Sequence, residues 1–401
     1  MLLTVSKRLE FSASRRLFDP AWSEAENRDR FGDESAARYG TGRNYVAYFI
    51  FSGEVEKATG MLMNIGEIKT RVNEVLDAGF DHKFLNEDNP AFAGIVPTAE
   101  NIARRLWADV EPLFRDSAAK LVACHLCETE GRSATVYADG VCETNYWFEF
   151  SAARRTMSPH LTDAENAELF GVASSKMGHG HHYRARVTLR DAESPERAVQ
   201  ETLELQRREL DHKNLNAEVP GLKHRPITTE SLAGYLHEKL GVTLPVERVR
   251  LHERQDFFAE CWPGERYLLA MRKPFEAAHR LHAPTLSLEQ NCELFGKCNN
   301  PRGHGHRYVV EATVGGSYDA RSGTVYEFIA LQSGLAESVR PWQDKHLDLE
   351  TPEFRSTPST GENIVHALWP KVDARFDGRL ERLRLWETAN NRFTLRKHQN
   401  A

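Results

Sequence analysis

Three histidines and a cysteine in the last third of the chain have the types and spacing of a metal-assisted proton-transfer site. His304 and His306 stand two apart in GHGHRY, at the start of a strand-like run. Alternation along a strand points both imidazoles to one face. Gly303 and Gly305 leave room around them, and His279, in FEAAHRL, comes from the first strand of that copy, which a hairpin-like pairing would lay alongside. Three neutral imidazoles without a thiolate suit zinc, with a fourth position open for water or substrate. Cys298 lies six residues before His304 in the turn-rich CNNPRG. A divalent cation nearby lowers a thiol's pKa, so Cys298 is the candidate base or nucleophile.

The same pattern is written three times. FSASRRL (11–17), FSAARRT (150–156) and FEAAHRL (275–281) each precede a matching downstream stretch ending at Tyr45, Tyr183 or Tyr308. A repeat of this length is a domain and not a solenoid unit, which divides the chain at about 1–140, 141–264 and 265–401. The first copy has Arg15, Thr41 and Arg43 at the ligand positions and Ser35 at the cysteine position. The second keeps His179 and His181, but Arg154 and Ala173 replace the other two residues. A guanidinium there repels a divalent ion, and His182 faces the opposite way, so zinc is expected in the third copy. Cys124 and Cys127 are three apart on a strand, face opposite ways, and read as packing.

Two further features recur. FDHKFLN and LDHKNLN carry Asp81-His82 and Asp211-His212, each an acid beside an imidazole, suited to tuning a proton shuttle. The third copy has Gln343 and Asp344 there. The copy with the zinc site thus lacks the dyad and the copies with the dyad lack the zinc site, which points to a site shared across domain interfaces. A glutamate also recurs near each third strand: Glu128, Glu253 and Glu387. A fixed carboxylate accepts two hydrogen bonds from an amino-pyrimidinone edge.

These residues need a scaffold of two strands, a helical middle and two strands. In the first copy 2–11 and 45–55 read as strands, and Ile65, Ile68, Val72 and Leu76 have helical spacing. A second helix follows Thr98, a candidate N-cap, and 120–126 and 133–137 return to strand. The later copies repeat the order through helices near 198–210, 229–240 and 362–372 and strands at 183–189, 249–254 and 380–387. Turn signals at Asp139-Gly140 and Pro263-Gly264 mark short joints, which favour side-by-side packing. Four-stranded antiparallel sheets leave open edges, and three joined edge to edge close into a barrel. The expected fold is α+β: three tandem ββααββ units in a pseudo-trimeric antiparallel barrel with helices outside.

Composition excludes several classes. The 401 residues carry a net charge of −6, with no basic footprint for nucleic acid. No stretch approaches a membrane span, no signal-peptide core opens the sequence, and six scattered cysteines read as reduced. A cytoplasmic protein is expected.

FEAAHRL, ELFGKCNNPRGHGHRY and LWETANNRF in the third copy closely resemble the 6-pyruvoyl-tetrahydropterin synthase family, and the first two copies resemble diverged members. The related 6-carboxy-tetrahydropterin synthases share the framework but space the cysteine closer to the histidine pair. The resemblance implies the tunnelling fold, a zinc ion on His279, His304 and His306, and Cys298 as general base. It further implies an Asp-His dyad from a neighbouring unit, with Glu387 and Thr360 anchoring the pterin ring. The implied substrate is 7,8-dihydroneopterin triphosphate, which loses triphosphate with internal redox and no nicotinamide. The implied assembly is a homodimer of pseudo-trimers, a pseudo-hexamer. A 6-carboxy-type enzyme, or a non-catalytic pterin- or purine-binding or scaffold protein, is the alternative.

Overall fold

The computed structural model describes residues 1–192 and 194–397. The chain forms three successive four-strand units whose long strands share one closed antiparallel barrel with helices outside. The first unit supplies Leu2–Arg15, Thr41–Ser52, Lys120–Cys127 and Arg132–Tyr137. The second supplies Cys142–Arg154, His179–Arg190, Val246–Arg254 and Phe257–Trp262. The third supplies Arg266–His279, His304–Gly315, Leu380–Thr388 and Asn391–Arg396. Neighbouring units join through tight hairpins, and the ring closes where Leu2–Lys7 pairs with Asn391–Arg396. No helix among the described residues is long and apolar enough to cross a membrane.

Each strand alternates, and one parity packs under the helices. In the third unit Phe275, Tyr308, Val310, Leu383, Leu385 and Phe393 are buried on that face. The helix Ile65–Gly79 buries Ile68, Val72 and Leu76 as their spacing predicts, and its Asn64 side chain accepts a hydrogen bond from the Gly66 amide. Thr98 caps Ala99–Val110 by accepting from the Asn101 amide. The first strand of each unit runs further than its apolar alternation indicates. It extends past Phe11 to Arg15, and in the third unit to His279. That extension sets the ligand position at the strand's last residue.

One element was not legible as structure: the short helix after each first strand. Its apolar periodicity is weak, and polar chemistry holds it. Ser23, Thr162 and Ser287 form capping boxes with Glu26, Glu165 and Gln290. Within it a buried asparagine ties the incoming loop down. Asn291 Oδ1 accepts from the Ala283 amide at 2.7 Å, and its Nδ2 donates to Ala283, Leu286 and Ser287 carbonyls at 3.0–3.1 Å. Asn27 and Asn166 repeat the device. The helix Leu288–Phe295 runs straight into the turn Gly296–Asn299 that carries Cys298. Replacing Asn291 by Ala leaves a buried amide and three carbonyls short of a partner, with an expected loss of about 1–3 kcal/mol. A melting temperature equal to wild type's would contradict this.

Candidate metal centre and active site

The strand register assembles the histidines. His279 lies opposite His304, and Ala277 opposite His306, so all three imidazoles share the helix-facing side. One ring nitrogen from each lies within 4.8 Å of the others. His279 Nε2 and His304 Nε2 are 3.2 Å apart. His279 is fully buried, and its Nδ1 donates to the Ser359 carbonyl at 2.9 Å. That bond fixes the proton on Nδ1 and turns the Nε2 lone pair inward, as a ligand requires. Ser359 is held in turn, its hydroxyl donating to Asp348 at 2.8 Å. Burial, then the neighbouring imidazoles, pushes His304 down to about 4, and burial also lowers His306. Neutral rings with converging lone pairs fit a divalent transition-metal ion.

Glu387 borders this cluster, its Oε1 3.9 Å from His279 Nε2. Asn391 Nδ2 donates to its other oxygen at 3.2 Å. Cys298 is half-buried, and its carbonyl accepts from the Leu281 amide, two residues beyond His279. Burial, then the Glu387 carboxylate, raises its thiol pKa. The expected thiolate therefore depends on a cation bound beside it.

Thr360 has another task. It caps the helix Gly361–Arg375, accepting from the Asn363 amide, and spends its hydroxyl proton on the Gly60 carbonyl at 2.5 Å. Two residues on, sequence reasoning missed Glu362. It is buried, accepts from the Leu62 amide at 3.0 Å, and burial raises its pKa to about 7. The signal was present: Glu100, Glu230 and Glu362 all stand two residues after an N-capping threonine. These bonds also show that the first unit, through 58–64, walls the third unit's site.

The dyads are held by their own units' first strands. Asp81 accepts from the Ser12 amide at 2.8 Å and Asp211 from the Ser151 amide at 2.8 Å, each on its own unit's first strand. His82 and His212 contact those aspartates through Nδ1 at 2.8 and 3.1 Å, while 83% and 82% of their side-chain surface is exposed. Among the described residues neither imidazole makes a hydrogen bond or ion pair with the third unit. Both adopt left-handed backbone conformations, φ 56° and 57°, as does Asp344 at 60°. A non-glycine residue there costs about 1–2 kcal/mol, so the chain maintains a strained presentation of both imidazoles.

The other units fill the ligand position with internal ion pairs. Arg154 donates to Glu253 at 2.5 Å, and His181 Nε2 lies 3.1 Å from the same carboxylate. His179, His181 and Glu253 are thus close enough to share an ion, but Arg154 occupies the place of His279. In the first unit Arg15 pairs with Glu128 and Glu34, and Arg43 with Glu34. The carboxylates equivalent to Glu387 are already neutralised in both units.

The chain was compared with known proteins. The 6-pyruvoyl tetrahydropterin synthase family matches residues 4–139, 144–264 and 269–398. The human 6-pyruvoyl tetrahydrobiopterin synthase is 39% identical over 125 residues, covering 31% of this chain and 86% of that protein. The Drosophila melanogaster protein of that name is 44% identical over 105 residues, covering 26% and 62%. The solved structure of the Caenorhabditis elegans 6-pyruvoyl tetrahydropterin synthase covers 33% of this chain and 95% of that one, at 34% identity and a TM-score of 0.32. With three matched segments spanning nearly all of its length, the chain belongs to the 6-pyruvoyl tetrahydropterin synthase family.

Proposed function

We propose that this protein is a zinc-dependent lyase that eliminates triphosphate from 7,8-dihydroneopterin triphosphate at one site per chain. The observation that carries the reading is the convergence of His279, His304 and His306 beside Cys298 and Glu387 in the third unit alone. In this reading 265–401 is the catalytic unit, while 1–140 and 141–264 complete the barrel.

The three histidines would hold the ion; when bound, it supplies Lewis acidity toward the substrate's side-chain oxygens and a field favouring the Cys298 thiolate. Glu387 accepts the N–H groups of the pyrimidinone edge and fixes the ring. Cys298 takes a proton from the side-chain carbon facing it. Glu362, neutral or charged near pH 7, holds the 58–64 wall against the site and excludes water from one side.

The dyad comes from a second chain. His82 and His212 protrude at the barrel end that carries the metal position, anchored three residues from the ends of their strands. Two barrels stacked at that end would bring a partner's dyad over Cys298. Because the third unit offers Gln343 and Asp344, a productive pairing sets it against the partner's first or second unit. This gives a homodimer of pseudo-trimers.

Metal analysis of the purified protein should return about one zinc per chain, and His304→Ala should abolish it; three ions or none would contradict the single site. Cys298→Ala should keep the metal yet slow triphosphate release by about 10²–10⁴-fold, the range for loss of a positioned base. No release from zinc-loaded wild type would sink the reading. Replacing His82 or His212 by Ala should impair turnover in one case and spare the other. Full activity in both single variants and the double would end the role of the dyads.

A further inference from the structure

The face of the sheet opposite the metal position lines the barrel lumen, and its charges do not balance. Ala185, Val187, Val249 and Leu251 pack under the helices, so their neighbours Arg186, Arg248 and Arg250 point inward. In the third unit Leu383, Leu385 and Phe393 face the helices, which turns Arg382, Arg384 and Arg392 into the same space.

The register aggravates the imbalance. Arg186 lies directly opposite Arg250, and Arg382 opposite Arg396. Like charges at facing positions destabilise a sheet. Three buried carboxylates answer part of this. Glu260 accepts from Arg250 at 2.7 Å and lies 3.3 Å from Arg382. Glu311 accepts from Arg272 and Arg384 at 2.9 Å each, and Glu143 from Arg248 at 2.9 Å.

Among the described residues two partly buried guanidinium groups are left over, besides the exposed Arg396. Arg186 has no ion pair among the described residues and lies 5.6 Å from the Trp147 ring. Among the described residues the Arg392 guanidinium has the Ser6 hydroxyl at 3.4 Å, the Tyr48 ring at 5.7 Å and no ion pair. The Nε atoms of Arg186, Arg248, Arg382, Arg384 and Arg392 are all buried without a partner. Burial, then neighbouring arginines, depresses the pKa of Arg186 and Arg384 well below the usual value. His125 and His252 are pushed to about 3 by burial and the same arginines, so they add no charge.

Buried cations persist where an anion compensates them. The guanidinium fork matches phosphate oxygens two at a time. Inward positions on one strand, such as Arg248 and Arg250, are about 6.6 Å apart along it, so the positive charge is strung along the barrel and not gathered at a point. We propose that the lumen is a binding site for a condensed phosphate of the inorganic triphosphate class, gripped by Arg186, Arg392 and the arginines beside them. It lies across the sheet from the proposed active site and does not depend on the reading of that site.

Calorimetric titration of the full chain with inorganic triphosphate tests this. Wild type should bind with a strongly salt-dependent affinity. His304→Ala, which disables the metal site, should bind equally well, and Arg186→Gln/Arg392→Gln should bind at least tenfold more weakly. Without the anion the double variant should melt no lower than wild type, because it removes repulsion; with triphosphate only wild type should gain stability. Undiminished binding by the double variant, or binding lost in His304→Ala, would overturn the proposal. Should the double variant not fold, wild type alone decides: sulfate or single phosphate binding as tightly as triphosphate would reduce the lumen to a general counter-ion pool and refute the site.

Discussion

Closure of the barrel is the constraint on which the rest depends. The pairing of Leu2–Lys7 with Asn391–Arg396 joins sheet edges nearly four hundred residues apart. That pairing sets the 58–64 segment of the first unit against Thr360 and Glu362 of the third. The metal position sits beside this seam, so its histidines come from one hairpin but its walls come from opposite ends of the chain. A barrel opened at that seam would keep the three imidazoles together and lose the contacts of the 58–64 segment with Thr360 and Glu362.

The three units solve one electrostatic problem in two ways. The last residue of each first strand faces a glutamate on the third strand or, at Glu128, one residue beyond it. Where it is arginine, as at Arg15 and Arg154, the guanidinium already neutralises the carboxylate. Where it is histidine, as at His279, the contact with Glu387 loosens to 3.9 Å and both groups remain available. One residue type at one position thus separates a charge-neutralised pair from an open histidine cluster. Removing either member of such a pair is costly because it strands the other charge.

Much of this was legible in the sequence because it is local. His304 and His306 share a face by simple alternation, Thr98 caps its helix, and the recurrence of aligned motifs divides the chain. What was hidden depends on register or on long-range contact. Arg154 reads as a lost ligand, and only the pairing of strands reveals it as the partner of Glu253. Glu362 meets a backbone amide 300 positions away, which no spacing encodes. The dyads are visible as adjacent residues, but only the strand contacts show Asp81 and Asp211 bound to the Ser12 and Ser151 amides of their own units. The arginines of the lumen alternate visibly, but alternation alone does not say which parity faces inward.

The tight hairpins between units have a consequence for dilution. A barrel of three separate chains is a third-order assembly that falls apart as concentration drops, taking any interface site with it. Here two of the three junctions are covalent turns, and the third is a meeting of two ends of one molecule. Its effective concentration is set by chain geometry and not by abundance. Ring closure is therefore independent of how many copies a cell contains, and each unit is free to change without its change being copied into the other two.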